Sequence, residues 1–399
     1  MVLMLLESLR HPKELKAMYH LKQRQSRLSS DPRPLDVLAT ELSDIDFCYA
    51  VLHRVSRSFA AVIQQLPSEL RDAVCIFYLV LRGLDTIEDD TAVPVDKRDR
   101  LLRTFYQKHA DKDWSITGIG DAEDYRLLLE NYQKVISAFQ DLGPEFKSVI
   151  LSICQEMGEG MAEFLEKEVE EVADYDQYCH YVAGLVGIGL SRLFSVSKVE
   201  GEKIAAQKEL ANSMGLFLQK TNIIRDYHED ILADRTFWPR EIWGNYGAEM
   251  QSFLLSRGPK AIHCLNHLVT DALSHASDCL SYLEMIKHPD VFRFCAIPQV
   301  MAIATLCEVY NNPDVFRKNV KIRKGLAAKL ILETNNYRDV QNVFEKVAID
   351  IFKKIPKDDP NASLISIYLR RLVNQEAKIK EIELFSKQRS FSEEHAIAS

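Results

Sequence analysis

Three features of the 399-residue sequence predict an all-α fold. Strand signals are scarce. Long segments repeat apolar residues at helical spacing. Short polar or Pro/Gly-bearing stretches separate those segments. No repeat of 20–50 residues and no low-complexity tract interrupts the pattern.

Apolar spacing places the first helices at 44–64 and 68–90, and the run Val74–Leu84 in the second is almost wholly apolar. Further helices follow at 97–110, 122–140 and 144–167. The segment 174–197 contains "GLVGIGL". Its glycine order is GxxGxG and no strand precedes it, so a dinucleotide loop is set aside in favour of close helix passage. The helix 204–232 carries the apolar run "NSMGLFLQKTNII". The helix 258–286 holds His263 and His267 at a spacing that can bind zinc, but Cys264, Leu265 and Asn266 between them supply no acidic ligand. Helices at 290–310, 324–333, 336–354 and 363–386 complete the chain, with "KIPKDDPNAS" breaking the last two. The expected organisation is an arm at 1–39, with "SDPRPLD" as its junction, one helical domain at 40–355, and a helix with a polar tail at 356–399.

Hydrophobic content of 47% and charged content of 27% describe an ordinary globular chain with ample core material. A net charge of −8 gives no basic face for nucleic acid. The eight cysteines are scattered without zinc spacing, which suits reduced, buried thiols in the cytosol. The amino-terminal "MVLMLLESLRHPKEL" has no cationic region or cleavage site, so no signal peptide is expected. No stretch reaches about 18 uncharged apolar residues, and no membrane anchor is seen.

Two acidic stretches stand out. "GLDTIEDD" at 83–90 and "RDYHED" at 225–230 each close an apolar helix and share the pattern Asp-x-x-Glu-Asp. Residues four apart lie on one helix face. Asp85 therefore pairs with Asp89, and Asp226 with Asp230. Glu88 lies alongside the first pair. Asp90 falls about 140° round the helix from Asp85 and is set apart. One such motif is explained by a solvated helix end. Two motifs, with Arg82 and Arg225 beside them, point to a ring of hard oxygen ligands for Mg²⁺ and a diphosphate. His228 is expected to point off the Asp226/Asp230 face.

Several long strings carry a family resemblance: "SRSFAAVIQQLP" (56–67), "RDAVCIFYLVLRGLDTIEDDT" (71–91) and "YCHYVAGLVGIGLSRLFS" (178–195). They continue with "NSMGLFLQKTNIIRDYHED" (212–230), "FWPREIWG" (237–244), "FRFCAIPQVMAIATL" (292–306) and "VKIRKG" (320–325). Over roughly 40–355 the chain resembles the squalene synthases of the head-to-head prenyl synthase group. The resemblance implies an isoprenoid synthase fold, a single helical domain around a central cavity. It implies two farnesyl diphosphates as substrates. They condense with Mg²⁺ to presqualene diphosphate, which NADPH then reduces to squalene.

By the same resemblance Asp85, Glu88 and Asp89 form one metal motif, and Asp226 and Asp230 the other. Tyr178, with Tyr181 near it, falls on the tyrosine of proton transfer in the first half-reaction. Phe59 and Phe294 match cation-stabilising aromatics. Arg57, Arg82, Arg225, Lys321 and Arg323 match positions for NADPH or its phosphates. Arg57, Arg225 and Arg235 can supplement Mg²⁺ on the departing diphosphate. A monomer is expected in the cytoplasm, in peripheral contact with the cytosolic face of the endoplasmic reticulum. The alternatives are a related synthase that stops at presqualene diphosphate or makes another product, and a non-catalytic isoprenoid binder.

Overall fold

Local caps start several helices. The Ser43 hydroxyl accepts from Asp46 N at 3.3 Å, and Asn336 Oδ1 accepts from Asp339 N at 3.1 Å. These side chains satisfy amide donors that a helix start leaves open. The computed structural model describes residues 11–28, 42–255 and 258–373, and every regular element among them is helical. The junction "SDPRPLD" and the tail from 374 lie outside the described residues, as does the end of the helix expected at 363–386.

Two helices organise the rest. The first acidic helix, Ser68–Asp89, buries thirteen of its residues. It packs against Pro144–Glu163, Asp44–Val55 and Leu185–Val196. The second acidic helix, Lys208–Arg225, lies at the centre of the other half. It touches Pro259–Leu273, Ala276–Met285, Leu185–Val196 and the long helix Pro289–Val309. Burial of this kind, rather than propensity, holds such helices in place.

Several expected helices are broken where special geometry is needed. The segment 44–64 divides at Ser56, whose extended φ of −157° starts the helix Arg57–Ile63. The segment 122–140 divides at Asn131, and 258–286 near Ser274 and His275. The segment 174–197 contains a π turn at His180–Gly184. The segment 204–232 holds a short helix, Glu202–Ala205, then the second acidic helix, then Tyr227–Leu232 after a turn at Asp226. Apolar periodicity cannot see such breaks, because the residues on either side keep facing the core.

The glycines of "GLVGIGL" do permit close passage. A Cβ on Gly187 would lie 2.2 Å from the Ala211 carbonyl oxygen, and one on Gly215 would lie 2.2 Å from that of Ala183. The helices Leu185–Val196 and Lys208–Arg225 therefore meet backbone to backbone. The described cysteines are free and seven of the eight are buried.

Two stretches are long and apolar enough to cross a membrane by composition, Val172–Val196 and Pro289–Val309. In the second, 72% of the apolar window is buried inside the protein, as in a core helix. Residues 11–28 of the expected amino-terminal arm are described. Its helix Pro12–Leu28 docks on Lys324–Glu333, where Arg323 Nη2 donates to Glu14 Oε1 at 2.8 Å.

Lys220 ties three helices together. Its ammonium, 1% exposed, lies 2.6 Å from Asp176 Oδ1 and 2.6 Å from Asp271 Oδ2, above the Tyr175 ring. Burial alone would lower its pKa, but the two carboxylates outweigh it and raise the value. Breaking a buried ion group strands the remaining charges. Lys220→Met is expected to cost about 3 kcal/mol of stability. Denaturant unfolding measures this, and an unchanged midpoint would show that the triad is not a stabilising tie.

Candidate active site

The first acidic motif ends the helix Ser68–Asp89, where the macrodipole is already negative, and the second runs from Asp226, which closes Lys208–Arg225, into the first turn of Tyr227–Leu232. Gathering carboxylates there is unfavourable unless cations answer them. Arg98 answers part of the charge: its Nη1 donates to the Glu88 carbonyl at 2.7 Å, closing the first acidic helix. Arg235 answers more. Its Nη1 donates to Asp89 Oδ1 at 2.8 Å and its Nη2 to Asp230 Oδ1 at 3.0 Å. One guanidinium thus joins the two motifs across the chain.

The remaining acids have their own partners. Arg82 Nη1 lies 3.4 Å from Asp85 Oδ2, and its Nη2 donates to the Tyr78 hydroxyl at 3.3 Å. Arg225 Nε donates to Asp226 Oδ1 at 2.8 Å. Asn319 donates to Asp226 Oδ1 as well, and to Glu229 Oε2 at 3.0 Å. Asp226 and Asp230 were expected to project together from one helix. A turn at Asp226 ends the helix Lys208–Arg225, yet Asp230 N donates to the Asp226 carbonyl at 3.0 Å, so the two stay one helical turn apart; Asp226 also meets Arg225 and Asn319, and Asp230 meets Arg235. Among the described residues no three acidic, histidine or cysteine groups converge on one metal position. The expected ring is clasped by arginines.

The electrostatics still favour an added cation. Burial pushes Asp85 up to about 6, with Arg82 opposing and Asp89 adding to the rise. Burial, then Asp89 and Asp85, raise Glu88 well above the usual range. Burial raises Asp89 against the pull of Arg235. Burial pushes Asp230 up to about 6, again against Arg235, with Asp226 and Asp89 adding. Mutual repulsion persists despite four guanidiniums. Hard carboxylate oxygens in excess fit Mg²⁺.

Asp90 is a loop tie. It accepts from Gly120 N at 2.7 Å and from Ala92 N at 3.1 Å, which agrees with its separation from the other acids. His228 is half-buried. His263 faces Asp358 at 3.7 Å, and His267 contacts the Tyr246 hydroxyl.

An apolar cavity of about 280 Å³ opens at Asp85 and Arg82. Its walls include Phe77, Leu81, Val186, Gly187, Leu218 and Met214. Phe59 stands at the rim, 37% exposed and 5.7 Å from the Tyr78 ring. Phe294 is buried and meets Phe194 edge-on at 6.2 Å. Both expected aromatics therefore line the cavity. Pro298 sits inside the helix Pro289–Val309 and also lines it. Having no amide hydrogen, it frees the Phe294 carbonyl from its helical bond.

Tyr178 lies beside the acids rather than on the apolar wall. It stacks on Phe237 at 5.0 Å and 17°, and Arg235 caps the other side of the cluster, 5.9 Å from the Phe237 ring. Burial raises its hydroxyl pKa, and Glu88, Asp89 and Asp85 raise it further, so it stays a phenol. Tyr181 is turned to Gln177 and Glu163. The π turn beginning at His180 separates the two tyrosines in direction.

The expected cofactor arginines are not all gathered at the cavity. Arg82 lines it. Lys321 is exposed, and Arg323 is paired to Glu14 and, at 4.0 Å, to Glu308. The Arg57 side chain lies outside the described residues. Phe237 and Asn319 join the site without having been singled out from the sequence. Phe237 stood within a quoted string, but no spacing marked it. Asn319 comes from a loop whose position only the fold supplies.

The sequence matches the squalene/phytoene synthase family over residues 52–325. Squalene synthase 1 of Panax ginseng is 49% identical over 349 residues, 86% of this chain and 82% of its own. The squalene synthase of Nicotiana benthamiana is 51% identical over 321 residues, 79% of this chain and 77% of its own. A solved complex of TcSQS with the ligand E5700 superposes with a TM-score of 0.81 at 44% identity, covering 83% of this chain and 97% of that one. A dehydrosqualene synthase structure, 21% identical, shares the fold with a TM-score of 0.52 over 72% of this chain and 95% of its own.

Protonation removes ligand oxygens, so cation affinity must fall as pH drops through about 6, the value set for Asp85 and Asp230. The Mg²⁺ dissociation constant from calorimetry is expected to rise about tenfold from pH 7.5 to 5.5. A flat profile would refute the carboxylate site.

Proposed function

The chain belongs to the squalene/phytoene synthase family, and on that premise we propose that it performs the squalene synthase reaction. Two farnesyl diphosphates condense head to head to presqualene diphosphate, which is reduced to squalene. The observation that carries this reading is the junction of the paired acidic motifs with an apolar cavity that opens at Asp85 and Arg82. A charged diphosphate and a long hydrocarbon need those two environments side by side.

Asp85, Asp89, Asp226 and Asp230, with Glu88 alongside, would hold Mg²⁺. The metal would draw electron density from the leaving diphosphate oxygens. Arg82, Arg225 and Arg235 can grip the same oxygens bidentately. Arg235 would then loosen its hold on Asp89 and Asp230, freeing both carboxylates to act as ligands. The cavity keeps water from the carbocation. Phe59 and Phe294 line the cavity and supply aromatic electron density. Tyr178, kept protonated beside the carboxylates, can relay the proton lost on cyclopropane closure toward the acidic mouth.

NADPH would supply the hydride of the second half-reaction. Arg82, Arg225, Lys321 and Arg323 are the cations for its phosphates. Arg323 fits that role only by giving up Glu14, and the exposed Lys321 needs no such exchange. Free buried thiols agree with a reducing compartment, and we place the protein at the cytosolic face of the endoplasmic reticulum.

Incubating the purified chain with farnesyl diphosphate and Mg²⁺ tests the activity. Squalene should form only when NADPH is added. Presqualene diphosphate under both conditions would mark a synthase that stops early, and no turnover would mark a silent binder. Asp85→Asn and Asp226→Asn are each expected to lower kcat by about two orders of magnitude or more. Near-normal turnover in both would sink the metal role. Tyr178→Phe should slow presqualene diphosphate formation. A loss confined to the NADPH-dependent step would reassign the tyrosine.

A further inference from the structure

The cavity has a second polar region, on the wall formed by the helix Pro289–Val309. Phe294, Cys295, Pro298 and Gln299 all line it there. Gln299 is 1% exposed, and its Nε2 donates to the Met214 carbonyl at 3.1 Å. That bond fixes the sense of the amide, since reversing it would set oxygen against oxygen. Gln299 Oε1 then has no hydrogen-bond partner among the described residues. A buried amide oxygen without a donor is costly, and it calls for a partner that the resting protein does not supply.

Tyr282 adds a second acceptor. It lines the same cavity, and its hydroxyl lies within electrostatic reach of the Cys295 thiol, one helical turn from Gln299. The Ser191 hydroxyl donates its only hydrogen to the Gly187 carbonyl at 2.8 Å. In the 2.5 Å contact between Ser191 Oγ and Tyr282 the tyrosine must therefore be the donor. Its hydrogen is committed to Ser191, which leaves only lone pairs for a ligand. This stretch of wall thus combines two oxygen acceptors with no strong donor.

A neutral prenyl chain has no polar hydrogen to meet such a wall, whereas a positive charge does meet it. We propose that Gln299 is a further catalytic residue of the reaction assigned above, an inference that rests on that reading. When the allylic C–O bond breaks, its electron pair leaves with the diphosphate and positive charge remains on carbon. The Gln299 amide oxygen, supported by Tyr282 Oη, stabilises that charge. The orphan oxygen is unmet while substrate is bound and becomes paired only as the cation forms. Stabilisation of that kind lowers a barrier rather than tightening substrate binding.

The test uses two probes: a tetraalkylammonium ion bearing a farnesyl-sized chain, and its uncharged isostere with carbon in place of nitrogen. Each is titrated into the full chain with Mg²⁺ and inorganic diphosphate present. The wild-type chain should prefer the ion by about tenfold or more. Gln299→Met should cut that preference about tenfold, leave the isostere's affinity within about twofold, and lower kcat with little change in KM. Tyr282→Phe should shrink the preference less, and it provides the reading if Gln299→Met does not fold. A preference absent in wild type, or unchanged in the variants, overturns the proposal and leaves the product assay standing. Equal losses for both probes would make the role merely structural and also overturn it. If neither probe binds wild type, the proposal falls together with the prenyl-cavity reading.

Discussion

Negative charge gathered from two helical segments at one place is the constraint on which the site depends. A helix ending in acid is electrostatically wrong by itself. Here Ser68–Asp89 ends that way, and its acids lie near those carried by Asp226 and by the first turn of Tyr227–Leu232. Arg98 and Arg235 answer part of the charge, yet the carboxyl groups stay raised by burial and by one another. Such an excess of carboxylate charge fits an added cation. The guanidinium of Arg235 spans both motifs and holds them to one another.

The apolar half of the site follows from different devices. Gly187 and Gly215 let two helices touch along their backbones. The π turn after Tyr178 redirects the residues beyond it, and Pro298 interrupts the helix that carries Phe294. Each device weakens regular helical hydrogen bonding or packing locally. Together they leave a cavity where a plain helical bundle would fill its core. The neighbourhood of Tyr178 joins the halves, because its ring stacks on Phe237 while its hydroxyl lies within the field of the carboxylates. Squalene synthesis needs that junction, since charge leaves at one end of the substrate while hydrocarbon must stay dry at the other.

The helical class, the paired acidic motifs and the cavity aromatics were readable in the sequence. Helical spacing and rare residue strings are local properties that survive without knowledge of neighbours. Asp90 was separable from Asp85 and Asp89 by angle alone, and its loop bonds agree. The breaks at Ser56, Asn131 and Asp226 were not readable, because apolar spacing continues through them.

What the sequence by itself determined is the inventory: which helices are apolar, which ends are acidic, and which family pattern they follow. Tertiary structure alone decided the pairings. Arg235 meets Asp89 from 146 positions away, Asn319 reaches Asp226 from 93, and Glu14 occupies Arg323 from 309. It also left the Gln299 amide oxygen unpaired beside the cavity. The physical reason is that helical period and capping depend on residues a few positions apart. A salt bridge, a stacked ring or an orphan acceptor depends on which distant helices come to share a wall.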